Sequence, residues 1–264
     1  METAGAFRIE GHEGNNTLAL TNYKTVFKAD YKPHLGFYGK MFPIAATLTG
    51  YPDWFTTGLT VTLQNLELWS SFTLTHNAFY YIRDLKKEQS KGQDEERIKA
   101  ILASVPTKMQ TPLYQRIGLR SWYLYAAAMS FENLVSIVSD KFLAQNRQIK
   151  QGICPTPSDV AYNVHFLDNS LKVQLRVGPV KREELEVHFQ PDRNANLPVA
   201  KRGLPAAELF ADFPEVSLFI DLDVSKSDVK VADVSNAYGE AQEIHSRLSQ
   251  NIVKYVFGMM EKGR

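Results

Sequence analysis

The chain has 264 residues, 44% of them apolar, and its 30 basic and 29 acidic side chains leave a net charge of +1. That length allows one large domain or two smaller ones with their own cores. Near-neutrality excludes a global field that would gather nucleic acid or an anionic membrane, leaving only local patches. The single cysteine, Cys154, excludes an intrachain disulfide and any zinc site with more than one thiolate, and fits a reducing compartment.

The opening METAGAFRIEGHEG lacks the basic start and apolar centre of a signal peptide. No run approaches the ~18 consecutive apolar residues of a membrane span. A cytoplasmic location without membrane association is expected. Phe7 to Glu10 and Tyr23 to Ala29 read as short strands separated by the turn-prone Gly11, Gly14, Asn15 and Asn16. Pro33, Gly36, Gly39, Pro43, Gly50 and Pro52 then punctuate a stretch holding Tyr31, Phe37, Tyr38, Phe42, Tyr51, Trp54 and Phe55. Large aromatics usually bury, which makes this an irregular layer of the core. If the layer is instead exposed, Tyr51, Trp54 and Phe55 are binding-surface candidates.

Leu59 to Leu63 and Leu66 to Trp69 are short strand candidates, and the alternation through Phe72 to Ile82 predicts another. A charged run, Lys86 to Arg97, leads into a helix over Asp94 to Val105, striped by Ile98, Ile101, Leu102 and Val105 and ended by Pro106. The best-patterned strand follows, Leu113 to Tyr125. Ile117, Leu119, Ser121, Tyr123 and Tyr125 fall on one face of it, and Arg116, Gly118, Arg120, Trp122 and Leu124 on the other. Ser130 can cap the next helix, where Phe131, Leu134, Val135, Val138 and Phe142 recur at helical spacing.

Residues 144–159 are polar and proline-rich and read as a connecting segment between an amino-terminal half, 1–143, and a carboxy-terminal half, 160–264. In the second half, Val160 to Leu167 and Leu171 to Val177 form a hairpin around Asp168, Asn169 and Ser170, and Leu185 to Phe189 reads as a third strand. Residues 190–214 form a long connection. Val216 to Val224 is a strong strand. The last element is an amphipathic helix from about Asn236 to Met260, striped by Ala241, Ile244, Leu248, Ile252, Tyr255, Val256 and Met259. These elements predict an α+β protein with two sheet layers, each packed by helices and the second closed by the terminal helix.

The phrase YQRIGLRSWYLY after a helix, a strand ending LFIDLDV, and a terminal helix with Glu243, Ile244 and His245 near its start resemble a sporadically distributed bacterial family of uncharacterised proteins of about this chain's length. In that family the first phrase reads arginine, hydrophobic, glycine, leucine, arginine, tyrosine, which here falls on Arg116 to Trp122. The second, a hydrophobic run through leucine, aspartate, hydrophobic and aspartate, falls on Leu218 to Val224. Ser121 and Trp122 depart from the family phrase, and its amino-terminal proline and glutamate motif is absent. The resemblance spans roughly residues 95–260 and implies the layout without any catalytic assignment.

Asp221 and Asp223 share one face of their strand, where two carboxylates can hold a hard divalent cation or simply line a solvated sheet face. With His165 and His188, which also point away from the apolar faces of their predicted strands, they are the candidate metal ligands, in a facial-triad arrangement that no sequence spacing demands. Arg116 and Arg120 are binding-surface candidates able to clamp a carboxylate or phosphate, or to pair with Glu67, Asp84 or Glu96. Lys181, Arg182, Lys201 and Arg202 offer a local basic patch diluted by Glu183, Glu184, Glu186 and Asp192. Cys154 has no identified base partner, and His245 beside the apolar stripe reads as a packing residue. No nucleotide-binding glycine pattern occurs, and no motif implies a cofactor.

The absence of a chemistry-bearing motif favours a non-enzymatic protein-binding or assembly module, with a protein partner or self-association, most simply a twofold dimer. The alternatives are a metal-dependent hydrolase on the polar face of the carboxy-terminal sheet and a regulator that binds nucleic acid or a small anion.

Overall fold

A computed structural model describes residues 20–33, 36–48, 51–57, 60–65, 70–84, 91–143, 157–189 and 213–259. The strands are β1 (Leu20–Asp30), β2 (Asp53–Thr57), β3 (Thr60–Asn65), β4 (Ser70–Thr75), β5 (Ala78–Asp84), β6 (Leu113–Ala126), β7 (Tyr162–Asp168), β8 (Leu171–Lys181) and β9 (Val216–Lys230). The helices are α1 (Phe37–Ala45), α2 (Lys91–Met109), α3 (Phe131–Leu143), α4 (Arg182–Phe189) and α5 (Val234–Val256), the last entered through a short 3-10 turn, Val231–Asp233.

The two predicted sheet layers are one sheet. All nine described strands join in the order β2-β3-β4-β5-β1-β6-β9-β8-β7, each pairing antiparallel with its neighbours. The physical reason lies in β6. It uses both of its edges, pairing with β1 on one side and, from Leu113↔Lys230 to Ala126↔Ser217, with β9 on the other. Two strands of 14 and 15 residues match in length, and their union fuses the strands of both sequence halves at the middle of the sheet.

One face of the sheet carries Phe72, Phe79, Phe27, Leu119, Val224 and Val173 and is covered by the helices. α5 buries Val234, Ala237, Tyr238, Ala241, Ile244, Ile252, Val253 and Val256 against it, and α3 contributes Leu134 and Val138. Fully burying one such side chain is worth roughly 1.5–3 kcal/mol, so the stripe holds α5 far more firmly than helix propensity does. A smaller cluster, Leu124, Val180, Leu185 and Phe213 with Tyr23, Trp122 and Phe219, sits on the opposite face beneath α4.

Several local departures from the sequence reading have identifiable causes. The single strand expected over Phe72 to Ile82 is the hairpin β4–β5, because Thr75 Oγ1 accepts the N–H groups of Asn77 (3.3 Å) and Ala78 (2.9 Å) and turns the chain. Pro106 does not end α2. The Leu102 carbonyl that a proline four residues on leaves without its helical donor accepts the Tyr114 hydroxyl at 3.2 Å, so the helix runs on to Met109. Leu185 to Phe189 belongs to a helix, not a strand. Glu184 Oε2 accepts the Lys181 N–H at 2.9 Å, the reciprocal half of a capping box, and starts α4. The β7–β8 turn is tighter than expected. Asp168 pairs with Leu171, and Asn169 takes φ of 54°. Part of the aromatic amino-terminal stretch is helical, α1, despite Pro43. The expected strands at Phe7 to Glu10 and Leu66 to Trp69, Cys154 and most of the segment 144–159, and Lys201 and Arg202 lie outside the described residues. Among the described residues no helix is long and apolar enough to cross a membrane.

Candidate functional site

Antiparallel pairing stacks side chains into rows that cross the strands. On the helix-covered face, the row Leu63, Phe72, Tyr81, Phe27, Leu119, Val224, Val173, Phe166 is almost wholly apolar. The neighbouring row is different. Across β3, β4, β5, β1 and β6 it reads Asn65, Ser70, Arg83, Thr25 and Ser121, and only on reaching β9, β8 and β7 does it become Leu222, Leu175 and Val164. Half of a core layer is therefore polar, with an arginine at its centre that is only 7% exposed. Burying a guanidinium costs several kcal/mol before its donors are met, so this row is not what packing alone selects.

A β-bulge adds a further polar group. The β1–β6 register shifts between Asn22 and Lys24, which puts Asn22 opposite Tyr123 and turns Asn22 and Thr25 to the same face. Thr25 Oγ1 accepts from Asn22 Nδ2 at 3.0 Å and from Arg83 Nη2 at 3.2 Å. With both lone pairs engaged, its own O–H is directed to Ser121 Oγ, 3.4 Å away. Tyr123 follows on the same face of β6, opposite Asn22. The hydroxyl of Tyr123 meets His245 on α5. Its Nε2 lies 2.8 Å from the Leu119 carbonyl oxygen, which only an N–H can satisfy, so Nδ1 is the bare nitrogen and accepts the Tyr123 hydroxyl at 3.3 Å. Two hydrogen-bonded sets result, Arg83, Asn22, Thr25 and Ser121 on the sheet, and Tyr123, His245 and the Leu119 carbonyl between β6 and α5.

Burial lowers the His245 pKa from 6.5 to about 4, only partly countered by the bond to Leu119 and the charge of Asp221. Burial also pushes the Tyr123 hydroxyl up to about 12, against the easing effects of Ser121 and Arg83. The imidazole is neutral and the phenol protonated at neutral pH. A cavity of about 390 Å³ opens beside these groups, between the sheet and the helices α2 and α5. Leu20, Ile98, Leu119 and Tyr238 supply apolar wall, Arg83, Asn22, Thr25 and Ser121 polar floor, and Glu95, Gln242, Glu243 and Ser246 its helical side. Asn22 Oδ1 is buried there and accepts no hydrogen bond.

The residues singled out by sequence lie elsewhere. Arg116, Arg120, Asp221 and Asp223 are on the opposite face, the one that carries the Leu124 cluster. Arg120 clamps Asp221 with two hydrogen bonds, 2.8 and 2.6 Å, and Arg116 reaches Asp223 at 3.4 and 3.5 Å. Gly118 makes room for the second pair, because a Cβ there would stand 3.3 Å from Arg116 Nη2. Burial raises the Asp223 pKa, against the lowering effect of the Arg116 and Arg120 charges. The partly exposed pairs are each worth at most about 1 kcal/mol. His165 lines a shallow depression on this face with Arg116, Lys172 and Asp223. His188 is carried on α4, and its side chain, like those of Phe55 and Asp84 and like Glu67, lies outside the described residues. Among the described residues no three His, Cys, Asp or Glu side chains converge as metal ligands. Lys181 lies over the Phe131 ring at 4.8 Å. Tyr51 is buried, whereas Trp54 is 63% exposed with its ring 6.3 Å from that of Phe42.

The cavity residues escape a sequence reading for a definite reason. Alternation places Ser121 and Tyr123 on the covered face but says nothing of which residues of other strands stand beside them. The one available signal was two hydroxyl side chains in succession on the inner face of the longest strand of the first half. No protein-family model matches the chain, and no curated protein matches it.

Proposed function

We propose that the protein is a non-enzymatic binding module that takes a small molecule into the cavity under α5. The observation that carries this reading is the polar half-row of the core layer bordering that cavity, centred on buried Arg83. Concave, mostly apolar sites of about 300–1,000 Å³ with a few placed polar groups are the usual form of small-molecule sites. The chemistry is that of recognition. His245 has both ring nitrogens engaged, and neither it nor Tyr123 has a pKa near the neutral range that suits general acid–base work. Among the alternatives, this is nearest to a small-anion regulator. Equilibrium dialysis of the protein against a mixture of cellular metabolites, read by mass spectrometry, is expected to show selective retention. Ser246→Trp, an exposed position at the cavity wall, should keep the fold and abolish retention. Retention by neither protein, or equal retention by both, rejects the reading.

A second reading, self-association, is favoured by a separate observation. Among the described strands β2 ends the sheet, and Trp54 on it, with Tyr38 and Phe42 on α1, forms an exposed aromatic patch beside that strand. Open edges and contiguous apolar patches are both sites of association. Light scattering at micromolar concentration is expected to give a dimer, and Trp54→Lys a monomer. A wild-type species of 29.9 kDa alone counts decisively against it.

A further inference from the structure

Among the described strands β7 ends the sheet at the far side from β2, and it carries none of the devices that commonly guard such an edge. Its residues, Tyr162–Asp168, include no lysine, arginine or proline, and its register with β8 runs without a bulge. The one acid, Asp168 at its end, is taken up by Arg247 on α5. On the other edge of β7 no described residue forms a backbone hydrogen bond.

The apolar layer also stops short here. On β8, Val173, Leu175 and Val177 are 8% exposed or less, whereas their β7 partners Phe166, Val164 and Tyr162 are only half-buried. The helices reach this far, because Phe142 on α3 stacks on Tyr162 at 4.5 Å and Tyr255 on α5 lies 5.5 Å from Phe142. One more strand beside β7 would continue the row that ends at Phe166 and cover the apolar surface left on Tyr162 and Val164.

Charge decides which strand fits. On the other face of β7, Asn163, His165 and Leu167 are exposed and stand beside Arg176, Gln174 and Lys172 of β8. Asp221 and Asp223 of β9 are held by Arg120 and Arg116, and Lys172 and Arg176 have no ion pair among the described residues. Neighbouring strands lie ~4.8 Å apart, so both cations stand ~10 Å from the backbone of an added strand, within the joint reach of a basic and a glutamate side chain. Two copies of the protein joined through β7 would line their seam with Lys172 and Arg176 from each, adding like charge where counter-charge is wanted. We infer that β7 is a docking edge for an extended segment of a partner protein, which adds as a further strand with apolar side chains toward the helices and acidic ones beside Lys172 and Arg176. Backbone hydrogen bonds hold the segment, and the alternation of its side chains selects it. The edge shares no residue with the cavity under α5.

Phage-displayed random peptides as long as β7, selected on the full chain with Val164→Lys as the counter-selection, test it. Lysine at this position puts a charge on the inward side of the edge, one of the ways natural edges are closed. Selected sequences are expected to alternate apolar and acidic residues. A synthetic peptide of the selected sequence should bind one-to-one by fluorescence anisotropy and slow amide exchange across residues 162–168. Its affinity should fall about tenfold or more in Val164→Lys, and also in the double variant Lys172→Glu with Arg176→Glu, which should instead favour the same peptide carrying lysine in place of its acids. Both reversed positions are exposed, so the double variant decides alone if circular dichroism shows Val164→Lys to be unfolded. No enrichment over the counter-selection, selected sequences without alternation or acids, equal affinity in the double variant, or protection away from β7 overturns the proposal. A wild-type dimer that Val164→Lys breaks and Trp54→Lys does not also overturns it, by giving the edge to a second copy.

Discussion

Acidification from about pH 7 to about pH 5 is expected to cost the wild-type fold about 2 kcal/mol through His245 alone, a loss that His245→Gln does not suffer. The imidazole is neutral in the fold with its pKa lowered to about 4, against 6.5 when the chain unfolds. Above the unfolded value both states carry a neutral ring and the residue contributes no pH dependence. Below it the unfolded chain takes up a proton that the folded chain refuses, so stability falls with pH until the folded value is reached. Glutamine can still donate an amide N–H to the Leu119 carbonyl in place of Nε2. The variant is therefore expected to fold, with its neutral-pH stability reduced but its acid slope flatter by one proton. Urea denaturation at a series of pH values measures both. Equal slopes in the two proteins would show that His245 is protonated, or exposed, in the fold.

Gly178→Ala is expected to destabilise the protein by about 2–3 kcal/mol, a fall of roughly 5–10 °C in melting temperature for a chain of this size. A Cβ at this position on β8 would stand 2.7 Å from the Val160 carbonyl oxygen and 3.4 Å from Ala161 Cα. Both are backbone atoms of the lead into β7, and moving them disturbs the register that starts at Tyr162↔Val177. Gly118→Ala is the matched control. Its added methyl meets the end of a flexible Arg116 side chain, which can swing away, so the change should lie within about 0.5 kcal/mol of zero. Thermal melts of the two variants that coincide would remove the steric argument.

How much of this was legible in the sequence depended on whether one residue's neighbours along the chain decide its state. β6, β9, the β7–β8 hairpin and the terminal helix carry long, consistent periods, and each appears close to where the pattern places it. Where a single residue breaks the pattern, distant groups decide. Pro106 stays inside α2 because Tyr114 stands eight positions later with its hydroxyl on Leu102. The merging of two expected sheets into one turns on β6 accepting partners at both edges, which no local pattern encodes. The cavity was hidden for the same reason. Thr25, Arg83 and Ser121 lie on three strands, and each taken alone is an unremarkable inward polar residue; only the registers make them a row. Asn22 shares their face because of a bulge. Asp221 and Asp223, by contrast, stand out in the sequence through their spacing, and the structure pairs both with arginines on the face opposite the cavity.

The pairing of β6 with β9 also governs the order in which the chain can assemble. Arg120 and Asp221, bonded across this seam, are 101 positions apart. During synthesis β1, β5 and β6 emerge long before β9 exists, so one whole edge of a 14-residue strand at the middle of the future sheet waits with its backbone groups unpaired. Contacts of such long sequence separation form late and slowly, and an open strand edge in the interval invites pairing with another chain. The charged outer face of β6 at Arg116 and Arg120 supplies the kind of residues that discourage such mispairing until Asp221 and Asp223 arrive to neutralise them.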